Sequence, residues 1–102
     1  GVLIVHGLRG NVFRSTDSGA SWTKIETGLQ QAIASSAITD DGRILLATTG
    51  GVVLASTDDG ASFRRLPLEQ TMPAFAILAE GRDALVVAGQ RGVRRVPVKQ
   101  QN

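Results

Sequence analysis

The sequence predicts an all-β chain: a partial β-propeller of about two and a half four-stranded antiparallel blades. The octet STDSGASW at Ser15–Trp22 returns as STDDGASF at Ser56–Phe63, 41 residues later. Short aliphatic runs at Leu3–Val5, Ile44–Leu46 and Leu85–Val87 keep the same spacing and are bounded by glycine-bearing turns. No segment long enough for a packed helix shows helical spacing with caps. A repeat near 40 residues fits a helical solenoid unit or a propeller blade, and strand-only content selects the blade.

Residues 1–102 read as one propeller segment, with a complete blade at 31–68. Its inner strand is expected over Ala32–Thr39, where Ile33 and Ile38 are separated by small residues. Asp40-Asp41-Gly42 is a hairpin signal. The second strand follows at Arg43–Thr48, and Gly50-Gly51 turns the chain into a third strand at Gly51–Ser56. The outer strand is expected over Ser62–Leu68. Residues 2–27 then supply the second, third and outer strands of an earlier, partial blade. Residues 73–99 supply the inner, second and third strands of a later one. In that copy Gly92-Val93-Arg94-Arg95 lies over the segments beginning at Gly10 and Gly51. Pro97 and Lys99 stand where Ser56 and Asp58 would be, a divergence expected of a terminal repeat.

The octets suit hairpin turns. Asp17 and Asp58 can accept hydrogen bonds from turn amides that otherwise lack partners. Gly19 and Gly60 permit positive φ. Trp22 and Phe63 can fold over the turn as apolar lids, and Ser15 and Ser56 can add a further local bond. One carboxylate per octet falls short of the roughly six to eight oxygens of a calcium cage. With no Cys there is neither a disulfide framework nor a thiolate metal site. No metal and no cofactor are expected.

These octets resemble the Asp-box, or bacterial neuraminidase repeat, S-x-D-x-G-x-x-W/F. Proteins with this repeat include sialidases, other glycoside hydrolases, sortilin-like receptors and photosystem II assembly-factor-like propellers. The glycine-flanked second hairpin followed by S-T-D-x-G-x-x-W/F looks most like the last group. That resemblance implies a non-catalytic scaffold that binds or assembles proteins, exported to a periplasmic or extracellular compartment. The alternative it implies is a carbohydrate-binding or sialidase-like propeller fragment whose catalytic residues lie outside this chain.

The residues themselves argue against catalysis here. Sialidases use a tyrosine nucleophile, and this chain has no Tyr. Glu26, Glu69 and Glu80 show no spacing that converges them as a carboxylate pair. His6 is replaced by Ala47 and Ala88 in the other repeats, which reads as a strand-end residue more than as a base. The net charge of +2 and the scarcity of aromatics, three Phe and one Trp, disfavour nucleic acid as a partner. No apolar stretch approaches the ~20 residues of a bilayer span.

Ligands are expected at the end of the blades opposite the octets, where inner strands funnel toward a central channel. Arg9 and Arg91 occupy equivalent turn positions there, with Gln90 beside Arg91. They can face an acidic partner or a carboxylate, or remain solvated turn residues. Incomplete blades leave sheet edges open. The segment is therefore expected to belong to a longer protein or to self-associate through those edges, and the missing initiator Met favours the former.

Overall fold

The computed structural model describes residues 2–68, 76–80, 84–89 and 92–98. They form ten antiparallel strands in three sheets. The first holds β1 (Leu3–His6), β2 (Val12–Ser15) and β3 (Thr23–Ile25) in that order. The second is the four-stranded meander β4 (Ile33–Ile38), β5 (Ile44–Thr48), β6 (Val53–Ser56) and β7 (Arg64–Arg65). The third orders β8 (Ala76–Glu80), β9 (Ala84–Gly89) and β10 (Gly92–Pro97) as β10-β9-β8. A 3-10 turn at Leu8–Gly10 joins β1 to β2.

Period-2 alternation sends successive side chains of the central sheet to two separate cores. Leu46 and Leu54 face one way and join Val12, Ile33, Ile4 and Ile25 between the first and second sheets. Leu45, Ala47 and Val53 face the other way and meet Ile77, Leu85 and Val96 of the third. The central sheet is thus covered on both faces, as a middle blade must be. Burying a side chain the size of leucine contributes roughly 1.5–3 kcal/mol, so these two clusters dominate the packing.

All the buried polar side chains among the described residues are hydroxyls at strand ends: Ser15, Thr39, Thr48 and Ser56. Each accepts the amide four residues on, from Gly19, Arg43, Val52 and Gly60, at 2.9–3.0 Å. One side-chain oxygen therefore closes each hairpin and satisfies a turn amide that would otherwise be orphaned.

Three features depart from the sequence expectations. The outer strand of the complete blade covers only Arg64–Arg65, not Ser62–Leu68. Asp58 captures the Ser62 amide at one end, and Pro67 has no amide to donate at the other. The inner strand carries a register shift between Ile33 and Ser35, and the Ser35 hydroxyl accepts the Ile77 amide of the third sheet at 3.1 Å. Finally, β10 does not overlie β2 and β6 at the sequence offset. The second hairpin closes on His6–Val12 and on Ala47–Val53 in the first two sheets, but on Gly89–Gly92 in the third. A one-residue slip exchanges the two faces of a strand. Val96 accordingly turns into the core while Arg95 is exposed.

Candidate functional site

The two octets form superimposable turns. Asp17 accepts the Ser21 amide at 2.9 Å, the Ser21 hydroxyl at 2.6 Å and the Ser15 hydroxyl at 2.7 Å. Asp58 takes the same three donors, from Ser62 and Ser56, at 2.9, 2.5 and 2.7 Å. These bonds favour the ionised form. The Ser21 hydroxyl and amide, with Ser15, lower the Asp17 pKa to about 2, and Ser62 and Ser56 do the same for Asp58. Both carboxylates are thereby engaged by their own turns.

Two consecutive positive-φ residues shape each turn: Ser18 and Gly19 at 61° and 92°, Asp59 and Gly60 at 57° and 85°. The glycines are favoured by this backbone, whereas Ser18 and Asp59 sit in it as short polar residues that tolerate it. The Trp22 indole N–H donates to the Gly19 carbonyl at 3.1 Å, laying the ring over the turn, while Phe63 packs against the core between the first and second sheets.

At the opposite end, Arg9 lies exposed within the 3-10 turn with φ of 60°. Gln90 and Arg91, paired with it by sequence, lie outside the described residues, as does Glu69. Glu26 is exposed on the strand end. Among the described residues no three His, Asp or Glu side chains cluster to hold a metal ion, and no helix is long and apolar enough to cross a membrane.

A cleft that the sequence did not announce opens between the first and second sheets. It encloses about 360 Å³ and is lined by Val2, Ile4 and His6 on one wall and by Ile38, Ile44 and Leu46 on the other. β1 borders it in the first sheet, and β4 and β5 border it in the second. The His6 ring donates from Nδ1 to the Ile33 carbonyl at 3.2 Å, and the Gly7 carbonyl accepts the Ile33 amide at 3.0 Å. These bonds tie the end of β1 to the start of β4. Its only sequence signal was a histidine where the other two repeats carry alanine. Apolar walls on both sides suit an extended segment whose alternate side chains enter the cleft.

Sheets of this kind, packed face to face at a constant repeat, define a partial β-propeller. A solved structure described as "YCF48 bound to D1 peptide" is similar to it, with a TM-score of 0.70 and 18% sequence identity over 91% of this chain. The matched region spans 32% of that chain, so this chain covers about a third of its length. No protein-family model and no curated protein sequence matches the chain.

Proposed function

We propose that this chain is a non-catalytic propeller segment, continuous over residues 1–102, that holds a protein partner in extended form as part of a longer, exported scaffold. The observation carrying this reading is the apolar cleft of about 360 Å³ between the first and second sheets. Its support is the likeness to a propeller structure described as holding a peptide. The octets act here as Asp-boxes in the structural sense, fastening the hairpins at Ser15, Asp17, Gly19 and Trp22, and at Ser56, Asp58, Gly60 and Phe63. By their turn positions in the sequence, Arg9, Gln90 and Arg91 are the further ligand-facing candidates.

A parallel screen of the chain on arrays of extended peptides and of glycans tests the reading. Peptides with alternating small and apolar residues bind, and Ile38→Lys, which places a charge on the cleft wall without touching the core, abolishes that binding. Glycan binding without peptide binding identifies the carbohydrate-module alternative instead. Peptide binding that survives Ile38→Lys places the site elsewhere.

A further inference from the structure

The two octets are matching turns in unlike surroundings. A Cβ on Gly19 would meet Trp22 and Leu3 of its own sheet. One on Gly60, which is buried, would stand 2.5 Å from Cδ1 of Ile4 in the first sheet and 3.6 Å from Cδ1 of Ile44 in its own. The second octet is therefore wedged against a neighbouring blade, and the missing side chain of Gly60 lets Ile4 close over it.

Backbone conformation adds a polar tie at the same spot. Inside the turn the Asp58 carbonyl accepts the Ala61 amide at 3.2 Å. Asp59 follows with φ of 57°, and its carbonyl accepts Nε of Arg14, on β2 of the first sheet, at 2.9 Å. A non-glycine residue held in the left-handed region costs free energy that its surroundings must offset. Arg14 and Ile4 stand opposite each other across β1 and β2. They grip the turn as a pair, one at a carbonyl and the other at a glycine.

The second interface lacks both halves of this grip. Ala55 occupies the place of Arg14, opposite Leu45 as Arg14 is opposite Ile4. The third copy has no octet to meet it, because Pro97 and Lys99 replace Ser56 and Asp58. A hydroxyl on the inner strand makes a tie there, with Ser35 accepting the Ile77 amide. Arginine and octet are thus present together at one interface and absent together at the other.

We infer that the second octet is an inter-blade joint: the turn that closes its own hairpin also couples the second sheet to the first, through Arg14 and Ile4. In repeat arrays cooperativity resides in such nearest-neighbour terms. Opening the octet of the second blade loosens the blade before it. Both sides of the joint lie within this chain, and it is independent of what occupies the cleft.

Double-mutant cycles in urea test the joint. Ser56→Ala opens the octet without changing its charge. Combined with Arg14→Ala, its effect on the unfolding constant falls short of additivity by about fivefold, as expected for one shared hydrogen bond. Thr48→Val, at the other end of the same sheet, adds to Arg14→Ala with no such shortfall. Arg14→Lys, a milder change, gives a smaller coupling of the same sign. Hydrogen exchange supplies the direction. At equal loss of global stability, Ser56→Ala speeds exchange in β1 and β2 more than Thr48→Val does, and Arg14→Ala removes that difference. Additive effects of Arg14→Ala and Ser56→Ala overturn the joint. So does equal coupling of Arg14→Ala to Thr48→Val, or exchange in β1 and β2 that is the same in Ser56→Ala and Thr48→Val.

Discussion

The Ser56 hydroxyl oxygen stands 2.9 Å from the Gly60 amide nitrogen while its own proton goes to Asp58 at 2.7 Å. One buried atom thus closes the turn and holds the carboxylate that closes the rest of it. Ser56→Ala orphans the Gly60 amide in a buried setting, so a loss of about 1–3 kcal/mol is expected. Urea titration measures it as a lower midpoint with an unchanged slope. Ser62→Ala, which removes an exposed donor, costs less.

Acid acts on the same turns. Asp17 and Asp58 have folded pKa values of about 2, below their ordinary 3.8. A depressed carboxylate contributes stability that is complete above its unfolded pKa and is lost as pH falls through the folded value. Stability therefore declines between about pH 4 and pH 2. Asp17→Asn and Asp58→Asn are each less stable at neutral pH and show a shallower decline in that window. Thermal unfolding followed by the sole Trp, whose indole is tied to Gly19, tests both.

Gly10 and Gly28 share a left-handed backbone, at φ of 74° and 73°, but differ in surroundings. A Cβ on Gly10 runs into the Leu29 carbonyl, whereas one on Gly28 meets nothing. Gly28→Ala costs only the backbone penalty of about 1–2 kcal/mol. Gly10→Ala costs clearly more, because backbone atoms of the 27–29 segment must shift and the Thr27 hydroxyl bond to the Gly10 carbonyl, 2.9 Å long, is disturbed. Paired denaturation curves separate the two effects.

Thr48 is fully buried, accepts the Val52 amide at 3.0 Å and donates to Gln31 at 2.7 Å. Thr48→Val keeps the shape but orphans that amide. A loss of about 1–3 kcal/mol follows, with faster hydrogen exchange at Val52 as its local signature.

Much of this architecture was written in local spacing. The 41-residue offset and the glycine-bounded aliphatic runs placed strands in the pattern three, four and three. The octet bonds span no more than four residues, so their donors and acceptors are already together in the sequence. Asp58 shortened the outer strand by taking the Ser62 amide, a competition legible only once the bonding was seen. Tertiary structure alone decided the rest. The slip of β10 arose from where its hairpin closed, and it reversed which of Arg95 and Val96 enters the core. Val5 and Leu46 are equivalent by repeat and both aliphatic, yet one is half exposed and the other buried. Sequence periodicity sets which side of a strand is apolar; only the neighbouring sheet determines whether that side is covered.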